Sequence, residues 1–172
     1  MALFDTHAHY DSGGFNADRH DVLSALPAGN VALVVNPGCD LPSSRTAVEL
    51  AERYPYVYAA VGIHPSDCAD TGEAEYEALR QLAQHEKVVA IGEIGLDYYW
   101  EDNPPKEFQQ QVLRRQIELA LELDLPVIIH DREAHADVFD AIKESGVSRG
   151  VMHSYSGRAE LAREYKIGRA HV

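Results

Sequence analysis

The sequence is short of the features that mark several large classes of protein. It has only two cysteines among 172 residues, Cys39 and Cys68, and their spacing predicts neither a disulfide framework nor a cysteine metal site. No apolar run approaches the length of about 18–20 residues that a membrane-spanning helix needs. The first residues lack both the basic and the apolar region of a signal peptide, so the sequence indicates a cytoplasmic protein with no membrane partner.

Positive charge is also scarce, since 15 lysines and arginines stand against 28 acidic residues and the net charge is −13. This balance lacks the basic footprint of proteins that bind nucleic acids mainly through phosphates. It does not exclude a nucleic acid as a substrate, because bound divalent cations bring their own positive charge to a phosphate. The sequence has no G-x-G-x-x-G or G-x-S-x-G segment, which argues against a dinucleotide-binding protein and against a serine hydrolase.

Apolar segments and amphipathic segments alternate along the chain. The apolar segments, predicted to be strands, are 3–9, 31–38, 57–64, 88–97, 126–131 and 150–157. The amphipathic segments, predicted to be helices, are 43–54, 73–85, 106–123, 134–143 and 159–165. Several strands, such as VALVV and PVII, are continuous and β-branched, which is typical of a buried parallel sheet. Either an open doubly wound sheet or a (β/α)8 TIM barrel satisfies this order.

The placement of polar residues favours the α/β class with a TIM-barrel architecture. A TIM barrel gathers its functional groups around one centre at the C-terminal ends of its strands. The polar residues at or near the predicted strand ends are His7, His9, His64, Glu93, His130 and His153. Only six strand–helix units are present, whereas a closed barrel has eight, so we predict a partial barrel domain over residues 1–166.

The last residues, IGRAHV at 167–172, stop where a further strand is expected. The codons for KIGRAHV match a common sequencing-adapter oligonucleotide. We therefore predict that residues 167–172 are a non-native tail and exclude them from fold reasoning.

The segment Asp5-Thr6-His7-Ala8-His9 is the sharpest local signal. Side chains alternate along a strand, so His7 and His9 would face the same way, about 6.5–7 Å apart, and could share a divalent ion. Asp5 would lie one layer deeper on that face, suited to orienting a ligand. A histidine pair at the surface, without a metal, is the alternative.

Glu93 lies inside an otherwise apolar strand, AIGEIGLD. A buried carboxylate without a partner is costly, so Glu93 is predicted to bind cations, with pairing to an arginine or lysine as the alternative. His130 and His153 follow two further apolar runs, and each by itself is more typical of a core histidine with a satisfied hydrogen bond. Together with His7 and His9, however, these residues form a nitrogen and oxygen set that suits zinc, manganese or similar ions.

Other residues near the strand ends are candidates for substrate contact. His64, in VGIHP, is predicted to contact substrate rather than to bind metal. Arg132 can contact a phosphate or form an ion pair with Asp131 or Glu133, and both interpretations stay open.

The aromatic run Tyr98, Tyr99 and Trp100 follows the Glu93 strand. These rings can stack on a base, but the preferred interpretation is that they pack a loop over the barrel mouth. Asp97, beside them, is predicted to cap a helix or to position a metal ligand.

Five motifs, in order, resemble those of the TatD family of metal-dependent deoxyribonucleases. DTHAHYD is similar to the family's first-strand motif, VGIHP to its third and GEIGLDYYW to its fourth. LPVIIHDRE is similar to its fifth and MHSYSG to its sixth, where many members have Cys-Phe in place of Ser154-Tyr155.

The resemblance implies a TIM barrel with two divalent metal ions, Mg, Mn or Zn. His7 and His9 would bind one ion, Glu93 would bridge, and His130 and His153 would bind the second. The implied activity is hydrolysis of phosphodiester bonds by a metal-activated water, as in a 3'-5' exonuclease. The implied substrate is DNA ends or single-stranded DNA, with no obligate protein partner. The family also uses an aspartate after its eighth strand, and nothing in this chain matches that motif.

Two alternatives to the nuclease stay open. Related metal barrels hydrolyse amides, lactones and aminoacyl esters, and the fold does not choose among these bonds. The chain can also be an inactive fragment that lacks the last ligand and binds at most one metal ion weakly.

Overall fold

The computed structural model describes residues 1–167, and its strands form one parallel sheet. The strands are β1 (Leu3–Asp5), β2 (Val31–Pro37), β3 (Val57–Val61), β4 (Val88–Asp97), β5 (Val127–Arg132) and β6 (Gly150–Met152). Their order in the sheet is their order in the chain, and each neighbouring pair is parallel. A doubly wound sheet reverses direction at a switch point, so this order belongs to a sheet that curls into a half-barrel.

A helix follows each strand and packs on the outer face of the sheet. The helices are α1 (Arg19–Ala25), α2 (Leu41–Arg53), α3 (Glu73–Leu82), α4 (Lys106–Glu122), α5 (His135–Ser145) and α6 (Ala159–Ile167). Helix α2 begins with a capping box, in which the Ser43 N–H donates to the Asp40 carboxylate at 2.7 Å. Among residues 1–167, no helix has both the length and the hydropathy of a membrane-spanning segment.

The two faces of the sheet have separate cores. The main core lies between the outer face and the helices, and it includes Leu79 of α3 and Ile117 of α4, both fully buried. The inner face carries a smaller cluster, made of Val35, Ala60, Ala90 and Ile128.

Alternation along β5 shows which residues point inward. Val127 and Ile129 belong to the outer core, whereas Ile128 belongs to the inner cluster. Because side chains alternate along a strand, His130 and Arg132 lie on the inner face with Ile128.

A bulge in β4 decides where Glu93 points. Ile91 pairs with Val127 and Ile94 pairs with Ile129, so β4 advances by three residues while β5 advances by two. Ile91 and Ile94 are three positions apart and would face opposite sides of a regular strand, yet both lie in the outer core. The extra residue restores the outward direction at Ile94 and leaves Glu93 on the inner face.

Strand β1 is shorter than predicted. It ends at Asp5 rather than at residue 9, so the argument that His7 and His9 alternate along a strand is wrong. Beyond β1, the buried side chain of Asn36 replaces backbone pairing between strands. Its Oδ1 accepts the backbone N–H groups of Tyr10 (2.7 Å) and Asp11 (3.2 Å). A side-chain acceptor from β2 therefore shapes this segment as a turn.

Strands β3 and β6 also end early, so His64 and His153 lie just beyond them, in the loops. Helix α1 was not among the predicted helices. The predicted tail at 167–172 lies outside the described residues except for Ile167, which ends α6.

Gly95 allows β4 to lie against β5 beside the inner face. Its φ is +155°, and an added Cβ would collide with the carbonyl oxygen of His130. We expect Gly95→Ala to lower the free energy of unfolding by more than about 2 kcal/mol, because backbone strain of roughly 1–3 kcal/mol adds to the collision. Urea unfolding measures this loss. Gly29→Ala is the control, since no atom lies within 4 Å of its added Cβ. Equal unfolding midpoints for Gly95→Ala and the unchanged chain would contradict the expectation.

Candidate metal centre

The carboxylate of Glu93 is the centre of a cluster of imidazoles, and its side chain is only 4% exposed. Oε2 lies 3.1 Å from Nε2 of His7 and 3.3 Å from Nε2 of His9. Oε1 lies 2.9 Å from Nδ1 of His130 and 4.0 Å from Nε2 of His64. The two carboxylate oxygens therefore face two different groups of rings.

Two sets of donor atoms share Glu93. One set is His7, His9 and Glu93, the other is His64, Glu93 and His130, and in each set the donor atoms lie within 4.8 Å of one another. Imidazole nitrogens with a carboxylate oxygen form a donor set that suits divalent transition-metal ions. These residues are candidate metal-binding groups.

Two ring nitrogens converge on one carboxylate oxygen. The Nε2 atoms of His7 and His9 lie 2.9 Å apart and both face Oε2 of Glu93. Two imidazole nitrogens beside one buried carboxylate oxygen form a donor set that suits a divalent ion. The buried Nδ1 of His7, on the other side of its ring, has no hydrogen-bond partner within residues 1–167.

The cluster keeps Glu93 ionised. Burial alone would raise the pKa of Glu93, but hydrogen bonds with His130, His7 and His9 outweigh burial and hold the pKa well below its usual value. The hydrogen bond with Asp11, followed by that with Glu93, raises the pKa of His9 to about 9. Glu93 is therefore ionised, paired with the imidazoles around it.

His64 and His130 have opposite electrostatic environments although their ring centroids are only 4.3 Å apart. Burial and the neighbouring His130 lower the pKa of His64 to about 4. Burial also acts to lower the pKa of His130, but its contacts with Glu93 and Asp97 prevail and raise it. Of these two rings, His130 alone has its charged form stabilised by direct contact with two carboxylates.

His153 joins the cluster through His7. The two rings stack with centroids 3.4 Å apart and planes at 10°, and the backbone N–H of His153 donates to the Ile129 carbonyl at 2.9 Å. Its nitrogens belong to neither of the two donor sets found within the described residues, whereas His64 belongs to one. The predicted ligand role of His153 stays a prediction.

Carboxylates outside the centre position its rings. Oδ2 of Asp97 lies 3.2 Å from Nε2 of His130, in agreement with its predicted positioning role. Oδ1 of Asp11 lies 3.6 Å from Nδ1 of His9 and accepts a hydrogen bond from Nδ2 of Asn36 at 2.7 Å. Sequence reasoning missed both Asp11 and Asn36, although a lone polar residue in the apolar strand VALVVNP was an available signal.

Asp5 does not have the predicted place beneath the histidines. It is exposed, and its Oδ1 accepts the backbone N–H of His7 at 3.1 Å. Because β1 ends at Asp5, the side chain fixes the backbone of the following turn rather than an imidazole ring.

Arg132 lies at the end of β5, where its guanidinium carbon is 3.9 Å from the ring centroid of Tyr99. Its nitrogens form no ion pair with Asp131 or Glu133 within residues 1–167. Asp131 is buried and contacts His135 instead, at 2.7 Å. The guanidinium group is thus oriented by an aromatic ring and not by a carboxylate.

Known proteins share the sequence pattern and the fold of this chain. Residues 4–171 match the model of the TatD related DNase family. The chain belongs to this family. It is 46% identical over 164 residues to a Bacillus subtilis protein described as the uncharacterized metal-dependent hydrolase YabD, a match that covers 94% of this chain and 64% of the relative. It is 35% identical over 133 residues to the 3'-5' ssDNA/RNA exonuclease TatD of Salmonella typhimurium, which covers 77% of this chain and 51% of that protein.

The crystal structure of YjjV, a TatD homologue from Escherichia coli, superimposes with a TM-score of 0.90 at 33% identity. The superposition covers 98% of this chain and 66% of YjjV. The chain thus spans about two thirds of the length of YabD and YjjV. The predicted fold class, a (β/α)8 barrel of which six strands are present, is confirmed by this match and by the strand order.

If Glu93 is the shared cation ligand, replacing its charge should remove metal binding. We expect Glu93→Gln to weaken binding of Mn²⁺ by at least about 100-fold, since loss of a mere positioning partner already costs about 10- to 100-fold. Isothermal titration calorimetry on the purified chain measures this affinity. Glu86→Gln is the matched control, because Glu86 is exposed and outside the cluster. Equal Mn²⁺ affinities for the two variants would refute the shared role.

Proposed function

We propose that this chain carries the metal centre of a divalent-metal-dependent hydrolase that cleaves phosphodiester bonds at DNA ends or in single strands, in the manner of a 3'-5' exonuclease. The main support for this proposal is that the two oxygens of one buried carboxylate, Glu93, face two separate groups of imidazoles. The exonuclease description of the Salmonella relative supports the choice of bond.

The two halves of the cluster are proposed to hold two ions, Mg, Mn or Zn. His7 and His9 would hold the first with Oε2 of Glu93, and His130 would hold the second with Oε1. His153 is the remaining candidate ligand of the second ion. When bound, such ions lower the pKa of water and offset negative charge on the oxygens of a phosphodiester.

The carboxylates around the ligands keep the rings in place for this task. Asp97 contacts the outer nitrogen of His130, and Asp11 lies beside that of His9. Such partners fix ring orientation and raise the basicity of the coordinating nitrogen. Their proposed role is to hold the donor atoms of the two rings towards Glu93.

His64 is proposed to contact the substrate. Its Nδ1 accepts the backbone N–H of Ser66 at 3.2 Å, so the proton of the neutral ring lies on Nε2. That nitrogen faces the second half of the cluster, 4.0 Å from Oε1 of Glu93. In this tautomer Nε2 has no free lone pair for a metal ion, but it can donate a hydrogen bond to a phosphoryl oxygen. Arg132 is the second proposed contact.

Activity on nucleic acid tests the proposal directly. With Mn²⁺, the purified chain is expected to release mononucleotides from a 5'-labelled single-stranded DNA, and EDTA should stop the release. Glu93→Gln should lower the rate by about 1000-fold or more, because metal-ion stabilisation of the transition state is worth several kcal/mol. Glu86→Gln should leave it unchanged. A panel of aminoacyl and aryl esters runs beside the DNA. Cleavage of these esters without release of nucleotides would replace the nuclease by a hydrolase of another ester bond.

The proposed donor role of His64 predicts a change in turnover without loss of metal. We expect His64→Ala to lower kcat/KM on single-stranded DNA by about 100-fold, the usual effect of losing one such hydrogen-bond donor. Metal content, measured by mass spectrometry of the purified variant, should equal that of the unchanged chain. A fall in metal content of the His64→Ala chain would show instead that His64 is a ligand.

A further inference from the structure

An exposed aromatic pair lies beside the metal centre. Tyr99 and Trp100 are 51% and 52% exposed, and their rings meet edge to face with centroids 4.7 Å apart. The guanidinium carbon of Arg132 lies 3.9 Å from the ring centroid of Tyr99 and 5.2 Å from that of Trp100. We call these three residues the aromatic platform.

The aromatic platform is connected to the metal centre by short links. Arg132 follows His130 by two residues on the same face of β5, a separation of about 7 Å along the strand. Asp97 joins the two regions, since its Oδ2 lies 3.2 Å from His130 and its Oδ1 accepts the Tyr99 N–H at 3.0 Å. A nucleic-acid strand whose phosphodiester lies at Glu93 can therefore place a neighbouring base over the aromatic platform.

The loop that carries the aromatic platform is held in place by buried hydrogen bonds. Gln109 of α4 is 2% exposed. Its side chain donates to the carbonyls of Asp97 (3.1 Å) and Pro104 (2.7 Å) and accepts the Asp97 N–H (2.9 Å). Asn103 donates to the same Asp97 carbonyl at 3.0 Å. The rings are thus exposed on a fixed support, which lowers the entropy cost of binding a ligand.

Tyr98, not the aromatic platform, packs the loop. Its hydroxyl donates to the Asp137 carboxylate at 2.7 Å and accepts from Gln110 at 2.8 Å, and its ring is partly buried. The prediction that all three aromatic residues pack a loop over the barrel mouth therefore fits Tyr98 alone. Tyr99 and Trp100 leave about half of their surface open to solvent.

Two exposed cations lie beside the aromatic platform, although the neighbouring exposed residues Glu101, Asp102, Glu107 and Glu133 are acidic. Arg132 and Lys106 are both exposed cations at this edge, and Lys106 lies 4.3 Å from the Tyr98 ring centroid. No carboxylate within residues 1–167 forms an ion pair with either residue. Their charges are therefore available to a phosphate, while the rings offer faces to a base.

We propose that the aromatic platform binds an unpaired nucleobase of a single-stranded nucleic acid, next to the phosphodiester at the metal centre. The proposal rests on the proposed function for its substrate and adds the residues that bind a base. Base stacking on aromatic side chains tolerates any sequence, and paired bases inside a duplex do not offer their faces. Because a chain with net charge −13 repels phosphates elsewhere, stacking adds affinity to what the exposed cations supply here.

The single tryptophan of the chain makes the test direct, since Trp100 fluorescence reports on the aromatic platform alone. In EDTA, which prevents cleavage, we expect a ten-nucleotide oligothymidylate to quench Trp100. An abasic decamer with the same phosphates and a blunt duplex of equal length should quench it weakly. Equal quenching by the oligothymidylate and the abasic decamer would overturn the proposal, because phosphates alone would then account for binding.

Variants of Tyr99 test whether its aromatic ring contributes to binding of the oligonucleotide. By anisotropy of labelled oligothymidylate, Tyr99→Ala should raise Kd by at least about fivefold. Tyr99→Phe should bind like the unchanged chain, and so should Phe4→Ala, whose ring is 57% exposed on the first strand. Unchanged Kd for Tyr99→Ala would overturn the proposal.

Activity in Mn²⁺ distinguishes the two proposals. Tyr99→Ala should raise KM for single-stranded DNA and leave kcat nearly constant, whereas Glu93→Gln should lose kcat and keep the quench in EDTA. A chain that releases nucleotides with no base-dependent quench retains the proposed function and refutes the platform. A base-dependent quench in a chain that cleaves no phosphodiester refutes the proposed function and retains a single-strand binding site.

Discussion

A negative charge buried on the inner face of the half-barrel organises this molecule. The Glu93 side chain is only 4% exposed, with His7, His9 and His130 in direct contact. A buried carboxylate with no cation or donor is too costly to keep ionised. The rings of His7 and His9, after β1, and of His130, on β5, stabilise this charge by direct contact. The same arrangement leaves nitrogen atoms converging on carboxylate oxygens, which makes a stabilising cluster into a candidate metal centre.

The centre and its surroundings are linked by polar side chains rather than by the sheet alone. Asn36 of β2 holds the turn that carries His9, and Asp97 of β4 contacts both His130 and the loop of the aromatic platform. One carboxylate therefore sets the distance between the site proposed for the phosphodiester and the surface proposed for a base. In this acidic chain, the groups proposed to bind a nucleic acid are local ones, namely the candidate metal centre, one arginine and two aromatic rings.

The long, strongly patterned elements were predictable from sequence. The predicted bounds of β4 agree with the structure, and those of α4 differ by one residue, because unbroken apolar runs and a long amphipathic stripe have few competing interpretations. The histidines that lie against Glu93 were also singled out from sequence, as polar groups that follow or end apolar runs. The early ends of β1 and β3 were not predictable, since side chains of distant residues, Asn36 after β1 and Gln116 after β3, accept backbone N–H groups there in place of a neighbouring strand. The positions of His64 and His153 relative to Glu93 depend on those loop conformations.

The sequence by itself determined the alternation of strands and helices and the family, and it singled out the histidines and the glutamate as candidates for metal binding, because these follow from residue type and spacing along the chain. Only the tertiary structure decided where each side chain points. The bulge between Ile91 and Ile94 turns Glu93 inward, and it exists only as a difference in register between two strands that α4 separates in the chain. Likewise, the exposure of Tyr99 and Trp100 follows from the burial of Gln109 beneath their loop. Direction and exposure depend on contacts between distant segments, which local sequence patterns do not encode.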